Sequence, residues 1–361
     1  MDSLTQFTLG ATVSAVLLGR HIGYQKAAII GGLMGTVPDL DTFVPHDDPV
    51  EKFVAHRGPS HSLVIQALVA PVFAEPLVRL FKSLKDHRIL TYLAVYLMFA
   101  THALIDAMTI YGTKLLWPII EEPFGVGSIF IIDPLYTLPL LYVTIWAFFV
   151  RDHSPKLQRA LIGAMVASTL YMGASYALQL NAAHKADTWL AEKGISPERT
   201  LTIATPFNIF YWRTIAIDDD RYLNLYTSTI GGAPTLYSHP RRSDLEGCLA
   251  GNAQFQALSA FTKGFYSINA DDDKMIFSDL RMGLTPDYVF QFYIADLIGD
   301  APQDIELAIR QTVKRGTKGD IPWLRAGILG AQTSRIAEAA TRLGDLDVLT
   351  SRAAANEIPC G

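Results

Sequence analysis

The sequence predicts an α-helical integral membrane domain followed by an α+β extramembrane domain, and three observations carry that prediction. Half of the 361 residues are apolar and only 18% are charged, less charge than a soluble chain of this length usually carries. The apolar excess lies almost entirely before residue 182, and the rest of the chain has the texture of a water-soluble fold. Short clusters of Asp and His interrupt the apolar half near the ends of its segments, where ionisable side chains are costly without a function.

A helix needs roughly 20 apolar residues to cross a bilayer core. Four segments, 61–80, 89–108, 129–150 and 157–180, approach or reach that length and are read as full spans. Two more, 4–18 and 24–37, are apolar but short. They are thin spans, or a helical hairpin that dips in and is covered by its neighbours. The helical domain is therefore placed at 1–182 and the α+β domain at 183–361.

Basic residues set the orientation. One connection carries Arg79, Lys82, Lys85 and Arg88, another Arg151, Lys156 and Arg159, and the first turn Arg20 and Lys26. The alternate connections hold only Lys52, Arg57 and Lys114. Nine against three puts the first set in the cytoplasm. Both ends of the chain, and the 183–361 domain, then face outward from a multi-pass membrane protein. The N-terminus lacks the basic region of a cleavable signal, so residue 1 is taken as part of the mature chain.

In the second half, 200–203, 212–217 and 222–227 read as strands, with Asp218-Asp219-Asp220 as a hairpin turn. A second set, 261–268, 275–280 and 289–294, is interrupted at Asp271-Asp272-Asp273, and helical patterns come after it at 303–314 and 324–343. The net charge of −5 and the absence of a basic tract argue against a nucleic-acid partner. The two cysteines, Cys248 and Cys360, form neither a CxxC pair nor a zinc pattern.

The Asp/His clusters are Asp39 with Asp41 at the end of the second segment, His56-Arg57 with His61 opening the third, and His102 with Asp106 near the end of the fourth. The orientation assigned from charge brings all three to one outer membrane face. His102 and Asp106 are four apart and project from one side of a helix. Asp39 and Asp41 flank one residue, so an extended backbone would point both the same way. Gly58-Pro59 forces a turn between His56 and His61, and Ser60 is placed to cap the next helix. Three imidazoles and three carboxylates suit Zn²⁺ first, then Mn²⁺ or Fe²⁺, over Ca²⁺ or Mg²⁺. Six donors exceed the needs of one catalytic zinc, so one or two ions are expected. Such a site would activate a water and stabilise charge on a phosphoryl oxygen, with Arg57 helping to hold the anion. Each motif alone has a bland reading: a hydrogen-bonded helical pair, a helix stop with solvated acids, a polar interfacial loop. Their coincidence at one face favours a site. Glu75 is read as a polar contact beside Pro76, and Asp133 as second in line behind the ligands or as an interfacial break.

These motifs resemble those of the YdjM-like family of bacterial inner-membrane metal-dependent hydrolases. Met1-Asp2-Ser3-Leu4-Thr5, Pro38-Asp39-Leu40-Asp41, His56-Arg57-Gly58 with His61-Ser62, and Thr101-His102-Ala103-Leu104-Ile105-Asp106 carry the likeness. It extends through Tyr111-Gly112-Thr113 and Trp117-Pro118, then weakens beyond about the first 120 residues. The resemblance implies a hydrolase distantly similar to the zinc phospholipase C and P1 nuclease group, with a phosphoester of a lipid or lipid-linked molecule as substrate. It carries over Asp39, Asp41, His56, His61, His102 and Asp106 as metal ligands. One position departs: the family commonly has His where this chain has Gln6, a poor transition-metal ligand that can still hydrogen-bond within the site. Two other classes compete with the enzyme. A membrane anchor whose soluble domain binds a protein partner would tolerate loss of the outer-face ligands. An ion transporter would continue the polar residues through the bundle.

Overall fold

The computed structural model describes residues 1–151, 153–271, 274–298, 301–312 and 316–342. Cys360, and Asp272 and Asp273 of the second expected turn, lie outside them. The chain folds as two compact units. One comprises Met1–Val44, His56–Ala177 and Pro206–Asn208, and the other Pro45–Ala55, Leu178–Thr205 and the chain from Ile209 onward.

The first unit is helical. Asp2 caps α1 (Ser3–Ile22) by accepting from the Leu4 and Thr5 amides at 3.1 and 3.0 Å, and Gly23 at φ +86° ends it. This helix is longer than the apolar run 4–18 suggested, because cap and glycine rather than hydropathy set its limits. Next come α2 (Tyr24–Thr36), a 3-10 turn (Val37–Phe43), and α3 (Pro49–Ala55), which belongs to the other unit. The helices α4 (Leu63–Leu80), α5 (Arg88–Met108), α6 (Pro134–Phe148) and α7 (Pro155–Glu192), of which the residues from Leu178 belong to the other unit, complete the series. Among the described residues, three helical stretches, Leu63–Leu80, Lys82–Met108 and Pro155–Glu192, are long and apolar enough to cross a membrane. The span expected at 129–150 is instead the 15-residue α6, about 22 Å long at the usual rise. Its start is fixed by Pro134 and by Asp133, whose carboxylate accepts from the Leu135 and Tyr136 amides. Asp133 also accepts from the Tyr171 hydroxyl at 2.9 Å, so it is a cap and cross-link, not part of the His/Asp cluster. Glu75 likewise makes polar contacts, with Arg79, Arg88 and Tyr92.

Glycine lets α1 and α2 touch backbone to backbone. A Cβ on Gly31 would sit 2.2 Å from the Ser14 Cβ and 2.3 Å from the Gly10 carbonyl oxygen. One on Gly35 would sit 2.7 Å from the Gln6 carbonyl. Small residues at this seam are what close packing of apolar helices requires. Gly31→Leu is therefore expected to force the pair apart and lower stability by about 3 kcal/mol or more. Unfolding of the purified protein in mixed micelles reads this, and an unchanged midpoint would contradict the packing argument. On the other side of α1, Thr5 meets Thr137 hydroxyl to hydroxyl at 2.6 Å, and Thr144 donates to the Thr8 carbonyl at 3.3 Å.

The second unit is α+β. An antiparallel sheet is ordered β1 (Arg199–Ala204), β2 (Tyr211–Asp218), β3 (Arg221–Ser228), β4 (Thr235–Pro240). The Asp218-Asp219-Asp220 hairpin forms as expected, with Asp218 opposite Arg221. After α8 (Ala253–Thr262) come β5 (Tyr266–Asp271), β6 (Lys274–Asp279), a small ribbon of β7 (Gly283–Leu284) and β8 (Asp287–Tyr288), then β9 (Gln291–Ile298), β10 (Ala301–Arg310) and α9 (Asp320–Ile328). The second sheet runs β10-β9-β6-β5.

Three expectations in this half are corrected. The strand placed at 261–268 begins only at Tyr266, because Asn252 caps α8 through the Phe255 amide at 2.7 Å and carries the helix to Thr262. Of the helix placed at 303–314, the described residues as far as Arg310 form the strand β10, which pairs with β9 at Ala301–Asp304 and again at Ile309–Arg310 with a register shift between; residues 313 and 314 lie outside the described residues. The helix placed at 324–343 is two pieces. α9 stops at Ile328, Gly330 turns at φ +74°, and a 3-10 turn covers Ile336–Thr341.

Candidate metal centre

The three clusters read from the sequence meet in the first unit. His102 and Asp106 sit one turn apart on α5, His61 closes a short 3-10 turn before α4, and Asp39 lies in the 3-10 turn after α2. That turn corrects the extended backbone expected for Asp39 and Asp41. A 3-10 turn spaces residues two apart at about 240° around its axis, so the two carboxylates diverge to different partners.

Four atoms converge. His61 Nε2 lies 3.1 Å from His102 Nε2. Asp39 Oδ1 is 3.4 Å from the first and 3.3 Å from the second, and Asp106 Oδ2 is 3.3 and 3.4 Å from the same pair. Neither of these two carboxylate oxygens has a hydrogen-bond partner, although both are buried.

The protons are elsewhere. His102 Nδ1 donates to the Gly35 carbonyl at 2.6 Å, and a carbonyl can only accept, so in the neutral ring Nε2 carries the lone pair. The Ser60 hydroxyl spends its one proton on Asp41 Oδ2 at 2.9 Å and accepts from His61 Nδ1 at 2.9 Å. His61 Nε2 is therefore also a lone pair. With both rings neutral, two imidazole lone pairs and two carboxylate oxygens face one another with no donor among them, an arrangement that is repulsive until a cation joins it. Tetrahedral ligation at about 2.0–2.1 Å sets donor atoms about 3.3–3.4 Å apart. The observed spacings fit that figure, so these residues suit a divalent metal ion.

The surrounding contacts hold each ligand in place. Asp106 Oδ1 accepts from Gln6 Nε2 at 3.0 Å and from the Met1 amino group, and pairs with the Arg57 guanidinium at 3.1 Å. Arg57 is buried, sits at φ +60°, donates to Thr109 Oγ1 at 3.0 Å and lies over the Tyr111 ring. A left-handed backbone costs a non-glycine residue about 1 kcal/mol. Here it is held by the Arg57 amide on Asp41 Oδ2 at 2.9 Å and by Lys114 donating to the Arg57 carbonyl. Within the guanidinium, Nε alone is buried without a partner.

Asp41 and His56, expected as ligands, form a second possible group with Asp39. Their contacts are already largely taken, since His56 Nδ1 donates to Asp41 Oδ1 at 2.8 Å while Oδ2 accepts from Arg57 and Ser60. Ser60, expected to cap α4, instead links Asp41 to His61. The cap is Ser62, which accepts from the Ile65 amide at 3.3 Å. The Gly35 carbonyl and Thr109 were not foreseen, because a lone glycine or threonine carries no sequence signal for such a contact. Gln6 stands behind Asp106 as a hydrogen-bond donor. Gln6→Ala is expected to weaken metal affinity about 10–100-fold, as loss of a contact that orients a ligand does. Competition with a chelator of known affinity measures this, and an unshifted titration would remove Gln6 from the centre.

Fold and site together define a membrane protein with a largely buried His/Asp group, able to hold a cation, at the ends of its apolar helices. The chain belongs to the YdjM inner membrane protein family, whose model matches residues 1–182 and so takes in every residue of the centre. No curated protein and no solved structure matches it.

Proposed function

We propose that this protein is a membrane-bound metal-dependent hydrolase acting on a phosphoester of a lipid or lipid-linked molecule at the outer face of the inner membrane. The convergence of four proton-free acceptors from Asp39, His61, His102 and Asp106 carries the reading. A nitrogen-and-oxygen donor set of this size favours Zn²⁺, with Mn²⁺ or Fe²⁺ next. When bound, such an ion supplies Lewis acidity toward a phosphoryl oxygen and makes a water more acidic. The chain's own part is to hold the ligands rigid through Gly35, Ser60 and Gln6, and to offer the unpaired Arg57 Nε to an anion.

The charge asymmetry of the connections supports a periplasmic 183–361 domain, with the short α6 counted as a fourth crossing beside the three long apolar helices and the first two helices as a short pair. A centre at that depth suits a substrate anchored in the membrane better than a freely diffusing one. The test is a turnover screen of nanodisc-embedded protein against phospholipids and polyprenyl phosphates, with and without chelator. Release of phosphate or head group that stops on chelation and returns with Zn²⁺ is expected. A metal-replete protein that turns over none of them would leave the cation with a structural role in a membrane anchor.

A further inference from the structure

The turn that carries Asp39 and Asp41 has a second face. Leu40 and Phe43 are 55% and 80% exposed. At three residues per turn they are eclipsed, so they form one apolar edge. The stretch 27–44 contains no charged residue other than Asp39 and Asp41, and both of those turn toward the centre. The apolar edge continues backward along α2, where Leu33 is 60% exposed and Ile29 precedes it by one turn.

Length gives this edge a place. The 13 residues of α2 cover about 20 Å, short of the roughly 30 Å hydrocarbon core. The backbone stays helical through Thr36 and Val37 into the seven-residue turn, which adds about 14 Å. Together they match the core. On α5, Leu104 stands between His102 and Asp106 and is 44% exposed, so apolar surface reaches the depth of the centre on that side also.

We propose that the Leu40–Phe43 face of the metal-bearing turn is embedded in bilayer hydrocarbon, so that the cation centre opens sideways to the acyl chains of a lipid. Membership of an inner-membrane family supplies the bilayer. The hydrolase reading is needed only for the further step that a lipid substrate approaches from this side. The two ideas fail separately, because the experiment reads contact with lipid and not turnover.

A nitroxide is attached at Phe43→Cys, and in a second protein at Leu40→Cys, in the full chain reconstituted in liposomes. Wild-type protein taken through the same labelling gives the background. Both positions are exposed, so the replacements leave the core intact, and an unchanged metal content checks this. Collision with dissolved oxygen is expected to exceed collision with a water-soluble nickel chelate at both sites, giving a ratio above unity. A ratio below unity places the face in water and overturns the proposal. Low collision with both reagents shows the face covered by protein and overturns it equally.

Discussion

Replacing His102 and Asp106 together with alanine is expected to abolish binding of a divalent cation while leaving the protein in the membrane. The two side chains provide half of the converging donors, and among the described residues no neighbour stands ready to replace them. Gln6, the nearest polar side chain behind Asp106, presents its amide nitrogen to that carboxylate. Binding free energy at a full four-ligand zinc site is about 10–16 kcal/mol, so loss of two ligands should turn a stoichiometric ion into a trace. The single replacements differ in kind. His102→Ala removes a ligand and its bond to Gly35. Asp106→Ala also leaves Arg57 and the Met1 amino group buried without their shared counter-charge, a defect that costs about 3–5 kcal/mol when a buried pair is broken. His102→Ala should therefore lose metal with modest loss of stability, and Asp106→Ala should lose both. His56→Ala is the control, since Asp41 and His56 already satisfy each other. Metal per chain by elemental analysis, with thermal unfolding in the same detergent, reads all four proteins. Full metal retention in the double variant would refute the centre. Loss of one ion of two in His56→Ala would show a second ion on Asp39, Asp41 and His56.

The sequence allowed the centre to be placed because its constraints are local and cumulative. A His and an Asp four apart on an apolar helix, and acids or imidazoles at the ends of others, are readable before any packing is known. Charge in separate connections then brought them to one face. The partners behind the ligands were not readable, because a carbonyl such as that of Gly35 is offered by every residue and only packing of α1, α2 and α5 selects it. The same division runs through the second unit. The hairpin around Asp218-Asp219-Asp220 declares itself by turn residues between β-branched and aromatic runs. The strand β10 does not, since Gln303-Asp304-Ile305-Glu306-Leu307 satisfies a helical as well as an alternating pattern. Its pairing with β9 decides.

Glu338 supplies the second large effect, in a part of the chain where no sequence pattern points to it. Its carboxylate is buried and accepts from Asn224 at 2.7 Å, from His239 at 2.9 Å and from the Tyr226 hydroxyl at 2.9 Å, with Arg335 at 3.4 Å. Arg213, also buried, extends this network by donating to the other side of Asn224 and to Tyr288. The network fastens the 3-10 turn Ile336–Thr341 to β3 and β4. Glu338→Ala leaves Asn224, His239 and Tyr226 without their shared acceptor and removes the negative charge near buried Arg213, while Arg335 keeps its pair with Asp320, and is expected to cost the second unit about 3–5 kcal/mol. Glu338→Gln, which keeps the shape and part of the bonding, should cost less. Burial pushes the Glu338 carboxyl up, but the His239 hydrogen bond, Arg213 and Asn224 outweigh it and hold the group below its ordinary range. A carboxyl depressed in the folded state contributes stability that is complete above its unfolded pKa, about 4.3, and fades as the pH falls below that value. Wild-type protein should thus lose protection on acidification through this range more steeply than Glu338→Gln does. Hydrogen exchange of the β3 and β4 amides in the full-length protein tracks this unit without requiring the whole chain to unfold. Equal protection in wild type and Glu338→Ala at neutral pH would mean that the carboxylate contributes no net stability. Equal acid slopes in wild type and Glu338→Gln would mean that its charge is not what the arginines and His239 hold.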